Sequence, residues 1–343
     1  MTATNQSSPN ANLPQGLPLP AAKAWVAGIF ISAGVSASAA RSVAEALVTA
    51  EADGFKGHGL ARIETYLAMV RSGKIDAKAE AKVSHPRPGT ILVDAAHGFA
   101  YPAMDLAIGN LIVAARQQGI AAAAITRSNH AGAIGLPVET LARAGFCALL
   151  FANSPAAMAP WGGNRPTFGT NPIAFAAPLE GRDPLVIDLA LSKVARGNIV
   201  VARQKGEAIP QGWALDRDGQ PTTDAAAALD GTMIPSGDAK GAALAMMVEV
   251  LAACLPASLL SFEASSYLDG DGPPPGTGQF LIAMDTQGFG HGNFAARMTA
   301  LAQNIEGQPG TRLSGQRRFS TRAFAEANGL AIPPGLAAKY PLP

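Results

Sequence analysis

The stretch from Ala121 to Pro178, AAAAITRSNHAGAIGLPVETLARAGFCALLFANSPAAMAPWGGNRPTFGTNPIAFAAP, sets the tightest limit on what this chain can fold into. Ala122–Thr126 and Phe146–Ala152 are short apolar runs bounded by polar or turn residues, the pattern of buried strands. Pro137–Ala144 between them has helical spacing, and Gly145 supplies a C-cap. This order predicts an α/β fold whose loops leave the carboxyl ends of buried strands, where open α/β sheets bind ligands. The loops are Ser128-Asn129-His130-Ala131-Gly132 and Asn153-Ser154-Pro155. A third polar turn, Phe168-Gly169-Thr170-Asn171-Pro172, introduces another strand, Ile173–Ala177. Each asparagine alone reads as a turn or cap. Three amide-rich loops around one imidazole, His130, point instead to a ligand site.

The flanking segments read as helices at Ala21–Ala33 and Ala37–Ala52, the second with Ser36 as N-cap. The glycine-punctuated loop from Asp53 to Gly59 then runs into a helix, Ala61–Arg71. His58 sits between two glycines just before that helix. Arg62 and Tyr66, four apart, share one of its faces, and an arginine there can grip a carboxylate with two parallel bonds. Thr90–Asp94 reads as a strand and Ala103–Gln118 as a helix. Leu185–Ala190, carrying Asp188, is another strand, followed by a helix at Ser192–Val201. A polar turn at Trp213–Gly219 comes next. Ser236–Gly241 opens an apolar helix, Ala242–Leu255, where small residues before a helix start suit an anion or merely a tight turn. Asp269–Gly278 reads as an exposed loop, Phe280–Asp285 as a last strand, and Arg312, Arg317, Arg318 and Arg322 form a basic cluster around Ser314-Gly315.

Composition excludes several function classes. A net charge of +1 with no Lys/Arg block argues against a nucleic-acid binder. Two cysteines, Cys147 and Cys254, cannot form a disulfide framework and read as reduced core residues. The polar, Pro-rich start lacks a charged-then-apolar leader and no apolar run has spanning length, so a cytoplasmic protein without membrane contact is expected. The glycines near 270–276 and 288–292 do not form a dinucleotide fingerprint, and there is no phosphate-binding GK[ST] loop. The five histidines are too scattered for a metal site, and no nucleophile elbow is present. What remains is a histidine as acid/base, an arginine as carboxylate clamp, and small polar loops for a cofactor.

Six motifs, HGLAR at 58–62, SNHAGAIG at 128–135, NSPAAMAPWGG at 153–163, FGTNPIAFAAP at 168–178, VIDLALSKVARGN at 186–198 and RLSGQRR at 312–318, carry a resemblance over roughly residues 50–320. The chain resembles the type-2 malate/L-lactate dehydrogenase family. That family includes malate, sulfolactate and ureidoglycolate dehydrogenases and the Δ1-piperideine-2-carboxylate/Δ1-pyrroline-2-carboxylate reductases. The resemblance implies a non-Rossmann, L-sulfolactate dehydrogenase-like α/β fold, with a mixed central sheet and a helical lobe from the N- and C-terminal segments. It divides the chain into a disordered tail (1–18), a helical substrate lobe (19–118), a cofactor-binding sheet domain (119–290) and a C-terminal helical segment packing on the N-terminal lobe (291–343). It implies a homodimer acting on a small carboxylate with NADPH or NADH and no metal, NADPH being favoured if the C-terminal arginines meet a phosphate.

Carried over residue by residue, His58 is the acid/base, and Arg62 with Tyr66 contacts substrate. His130, Ala131, Gly132, Ala133 and Ile134 line the nicotinamide, and His130 is expected to be catalytic as well. Thr170, Asn171, Asp188 and Lys240 line the pocket, and Arg312, Arg317 and Arg318 reach the cofactor. Gly57 stands where the imine reductases have a serine. Asn198 stands where they have an acid and the hydroxyacid dehydrogenases often have a lysine. An amide there, expected among the catalytic residues, orients an imidazole without stabilising its cation. Asp238 occupies a position where the family commonly has a glycine. Met246–Glu249 and Ser261–Glu263 resemble the imine-reductase branch. The expected reaction is reversible hydride transfer at C2 of a 2-oxo or 2-hydroxy carboxylate. The alternatives are reduction of cyclic 2-imino acids and a catalytically silent dinucleotide binder.

Overall fold

The computed structural model describes residues 16–343. Most of the expected tail therefore lies outside the described residues. Its last residues are ordered: the Gly16 and Leu17 amides donate to the Asn328 and Leu330 carbonyls at 2.9 Å each. Two helices follow, α1 (Leu19–Ser32) and α2 (Ala37–Ala52), and the Ser36 hydroxyl caps the second. Two 3₁₀ turns, Lys56–His58 and Leu60–Arg62, lead into α3 (Ile63–Arg71). The expected loop before Arg62 is thus coiled, and His58 closes the first turn.

The strands are β1 (Lys82–Arg87), β2 (Thr90–Asp94), β3 (Ile120–Ser128), β4 (Phe146–Ala152), β5 (Ile173–Ala177) and β6 (Leu185–Leu189). Helix α4 (Ala100–Gln118) precedes β3, and α5 (Gly135–Arg143) joins β3 to β4. Then come α6 (Arg196–Lys205), β7 (Ala214–Leu215), β8 (Pro221–Thr222), α7 (Ala225–Asp230), β9 (Thr232–Met233), α8 (Ala239–Glu249) and β10 (Thr277–Asp285). Helices α9 (Phe294–Glu306), α10 (Gln316–Asn328) and α11 (Pro334–Lys339) end the chain. Strand β1 escapes the sequence reading because it is polar, contains Pro86 and is exposed throughout, as an edge strand tolerates. Helix α6 starts four residues later than expected. Helix α8 starts three residues earlier and continues as a π-helical turn, Val250–Cys254.

The main sheet runs β1-β2-β3-β10-β4-β5-β6, and β7–β9 form a small separate sheet. Strands β2 and β3 are parallel and every other neighbouring pair is antiparallel, so the sheet is mixed. Strand β10 pairs with both β3 and β4, inserting between the two strands that α5 connects. Period-two alternation decides which face each side chain serves. Ala121, Ala123, Ile125, Ala148, Leu150, Leu281 and Ala283 pack towards α2, α4 and α5. Leu149, Phe151, Phe280 and Ile282 pack on the opposite face against Ala245, Val248 and Ala252. Alanines on the first face let α4 lie close to the sheet.

The register brings several chain segments to one end of the sheet. Ser128 pairs with Thr277, Ala152 with Gln279, and Ile173 with Leu189. The loops after β3 and β4, the turn before β5 and the end of β6 therefore share that end. Among the described residues no helix is long and apolar enough to cross a membrane. Cys147 is half-buried and Cys254 exposed, so neither is the core residue expected from its apolar neighbours.

Candidate active site

At this end of the sheet His130 leaves β3 and meets the 3₁₀ turns before α3. The His58 and His130 rings lie nearly parallel, centroids 5.5 Å apart at 12°. Tyr267 meets His130 edge-on at 5.1 Å. The Tyr66 hydroxyl lies 2.7 Å from His130 Nδ1 and 2.9 Å from the Tyr101 hydroxyl. Arg62 donates from Nε to the Gly57 carbonyl at 2.8 Å and from Nη1 to the Tyr267 carbonyl at 3.4 Å. Among the described residues it has no carboxylate partner.

That environment keeps both imidazoles neutral. Burial, then the Arg62 charge, lowers the His58 pKa to about 4. Burial, with Arg62 and His58 adding to it, takes His130 well below its ordinary value. Three of the chain's four tyrosines stand here, and burial raises each phenol's pKa. The site combines one unpaired cation, two neutral bases and an aromatic wall.

Tyr66 is not placed to bind substrate: it is fully buried and its hydroxyl is engaged by Tyr101 and His130. Tyr101 and Tyr267 were missed, since a tyrosine within an apolar helix or beside an irregular loop carries no local signal. Lys74 was missed too. Its buried ammonium donates to the Asp271 carbonyl at 2.6 Å, holding the loop after Tyr267 close to α3. The loop expected to be exposed is so at Asp271–Pro273 and is buried at Pro275–Gly278, whose last two residues open β10.

The other amide loops share this end of the sheet without aiming their amides at His130. Asn171, fully buried, donates to Glu249 Oε2 at 2.8 Å and to the Ala245 carbonyl at 3.0 Å. Asn153 donates to the Leu259 carbonyl at 2.9 Å and accepts from the Gly278 amide at 2.8 Å. Ser261 donates to Glu249 at 2.7 Å. A carboxylate buried under the sheet needs such donors, so Asn171 is a structural residue and not a cofactor contact through its side chain. Thr170 stays half-buried, its amide held by the Ser154 hydroxyl at 3.1 Å.

Around the loop after His130, Ala131 and Ala133 are nearly buried and Ile134 fully so. Gly132 takes φ +66°, and a Cβ there would stand 2.4 Å from the Tyr101 hydroxyl oxygen. Asp188 accepts from the Gly135 amide at 2.7 Å, joining this loop to β6. Burial raises the Asp188 pKa, opposed by that amide and by Arg318.

The C-terminal arginines divide. Arg318 is buried and pairs with Asp53 at 3.0 Å and with Glu139. Arg322 bonds the same two carboxylates at 2.5 and 2.8 Å. Arg318, buried and paired with two carboxylates, ties helices together and is not the exposed cofactor contact expected of it. Arg312 and Arg317 are exposed and make no ion pair among the described residues. Ser314 between them accepts from the Val186 amide on β6 at 3.4 Å. Lys240 is exposed at the start of α8, after Asp238 at φ +57°. Asn198 is exposed on α6, whose buried residues are Ile199 and Ala202, and bonds neither imidazole, contrary to the expected positioning role.

Residues 17–339 match the family model described as malate/L-lactate dehydrogenase. The chain is 50% identical over 289 residues to a (2R)-3-sulfolactate dehydrogenase (NADP(+)) of Chromohalobacter salexigens, covering 84% of this chain and 86% of that one. It is 41% identical over 313 residues to a Δ1-pyrroline-2-carboxylate reductase of Ancylobacter novellus, covering 90% and 92%. The solved Δ1-piperideine-2-carboxylate reductase of Pseudomonas syringae pvar. tomato superposes with TM-score 0.91 at 38% identity, over 95% of this chain and 99% of that one. The sulfolactate dehydrogenase of Methanocaldococcus jannaschii superposes with TM-score 0.86 at 28% identity, over 94% and 95%. With the match spanning nearly every described residue, the chain belongs to the malate/L-lactate dehydrogenase family.

Proposed function

We propose that this protein exchanges hydride between NADP(H) and C2 of a small 2-oxo or 2-hydroxy carboxylate, working as a homodimer in the cytoplasm. The observation carrying this reading is Arg62: a half-buried guanidinium without a carboxylate partner among the described residues, beside two stacked neutral imidazoles. A substrate carboxylate completes that cation with two charge-assisted bonds. His58, whose ring makes no hydrogen bond to another side chain or backbone group among the described residues, takes the proton of the C2 hydroxyl in oxidation. In reduction it returns a proton to the C2 oxygen. The substrate's negative charge offsets Arg62 and raises the His58 pKa towards neutrality, where acid and base forms are both accessible.

A nicotinamide bound at this end of the sheet supplies or accepts the hydride. The residues present fit it: Ala131–Ile134 offer a small-residue surface beside His130, and Gly132 lies where a side chain would clash with Tyr101. Arg312 and Arg317 are available to a phosphate, which favours NADPH. Thr170 and Lys240 adjoin the same end of the sheet and Asp188 braces the loop. Exposed Met246, Val250, Leu255 and Phe262 on and after α8 support an apolar contact between two copies.

Likeness to a sulfolactate dehydrogenase supports testing sulfopyruvate first among substrates. Glu249 and Ser261, bonded to each other and buried, lie in the segments resembling the imine-reductase branch, and they support cyclic 2-imino acids as the second reading. NADPH oxidation is measured with sulfopyruvate, oxaloacetate, pyruvate and Δ1-piperideine-2-carboxylate. Fastest turnover of a 2-oxo acid supports the first reading; turnover of the imine alone replaces it with the second. NADPH binding with no turnover across the panel identifies a silent binder.

A further inference from the structure

We infer that Tyr66 is a positioning residue that holds His130 in the neutral tautomer with its proton on Nε2, making His130 a hydrogen-bond donor in the site and leaving proton exchange to His58. The inference follows from counting protons along three buried groups. The Tyr66 hydroxyl has two partners, Tyr101 at 2.9 Å and His130 Nδ1 at 2.7 Å, and one proton to give. Tyr101 is 5% exposed, and its hydroxyl has no other hydrogen-bond partner among the described residues. The loop after His130 closes over it, since a Cβ on Gly132 would stand 2.4 Å from that oxygen.

Two proton orders are consistent with these distances. In one, Tyr101 donates to the Tyr66 oxygen and Tyr66 donates to Nδ1, so every proton has an acceptor. In the other, Nδ1–H donates to Tyr66 and Tyr66 to Tyr101, leaving the Tyr101 proton buried without an acceptor. Stranding a buried donor biases the equilibrium by about 5- to 150-fold. The first order wins, Nδ1 is an acceptor, and the proton of neutral His130 resides on Nε2.

The surroundings agree. Facing His130 are Tyr66, Tyr267, His58 and the Arg62 charge, and none of them is a carboxylate. Where a carboxylate holds a catalytic histidine it both orients the ring and stabilises its cation. A phenol orients the ring and offers the cation no opposite charge. Among the described residues Nε2 makes no hydrogen bond and is not one of the sealed, unsatisfied buried atoms. It is therefore free to donate to a substrate oxygen as negative charge grows there.

The role in turnover rests on the proposed oxidoreductase reading; the tautomer does not. Full-length protein labelled with [15N]histidine is examined by long-range proton–nitrogen correlation at neutral pH, with the His130 signals assigned by their loss in His130→Gln. An unprotonated Nδ1 and a protonated Nε2 are expected, and a protonated Nδ1 overturns the inference even if neither tyrosine variant folds. Tyr66→Phe should mix the tautomers and lower kcat about 2- to 13-fold, one neutral hydrogen bond's worth, with the NADPH dissociation constant within twofold. Tyr101→Phe should leave the tautomer in place, because Tyr66 still has one proton and Nδ1 remains its acceptor. An unchanged tautomer in Tyr66→Phe overturns the proposal. Absence of turnover in the wild type sinks the oxidoreductase reading, while the spectrum still decides the tautomer.

Discussion

An imidazole buried next to a guanidinium resists protonation, and this has consequences for His58 and Arg62 that separate in kinetics. His58→Gln should lower kcat about 10²–10⁴-fold with little change in NADPH affinity, as for removal of a general acid/base; an equal loss of cofactor affinity would make it a binding residue. Arg62→Lys keeps the charge and loses the fork, so KM for the carboxylate should rise about tenfold with a smaller change in kcat. The same burial couples to stability. An unfolded histidine titrates near 6.5, whereas His58 titrates at about 4 and His130 also well below its ordinary value. Between those limits the unfolded chain binds protons that the native one refuses, so stability rises with pH across the window and falls as the pH drops from 6.5 towards 4. Melting temperatures at pH 5 and pH 7 should differ less in His58→Gln than in the wild type.

Helices and loops transmit constraints that no isolated residue shows. The His130 loop turns through Gly132 at φ +66°, against Tyr101. Gly132→Ala should displace Tyr101 and cost about 1–3 kcal/mol of stability, seen as a lower melting temperature together with reduced turnover. Helices α2, α5 and α10 meet at Asp53, Glu139, Arg318 and Arg322, and Arg143 adds a third guanidinium on Glu139 at 2.8 Å. Burial alone would raise the Glu139 pKa, but hydrogen bonds and charge from Arg322 and Arg318 outweigh it and hold it low. That contribution is present above the unfolded pKa and lost as pH falls through the folded one. Arg322→Met leaves buried negative charge unmatched and should cost about 3–5 kcal/mol in urea denaturation. Both variants leave Arg62 and His58 intact, so residual folded protein should retain substrate KM.

On the scale of the whole molecule, the exposed apolar residues of α8 and its continuation favour a second copy. Light scattering should report twice the mass of one chain, and Phe262→Glu should shift it towards a single chain; a wild-type monomer would remove the dimer from the proposal. Much of the architecture was readable beforehand. Strands β3, β4 and β5 are continuous apolar runs with turn residues at their ends, and local sequence alone places them. Arg62 and His58 were found because glycines flank a polar turn before an amphipathic helix, again a local signal. Local pattern could not show that β10, over a hundred residues downstream, inserts between β3 and β4. Nor could it show that Tyr101 and Tyr267 reach His130 from separate segments. The asparagines misled for the same reason: Asn171 looked like a ligand residue because Glu249, its buried partner, is 78 positions away. Sequence by itself determined the elements and the chemistry available to them, since propensity and periodicity are short-range. Only tertiary structure decided which polar groups stay free for a substrate, because burial makes each one bond with whatever the fold brings within reach.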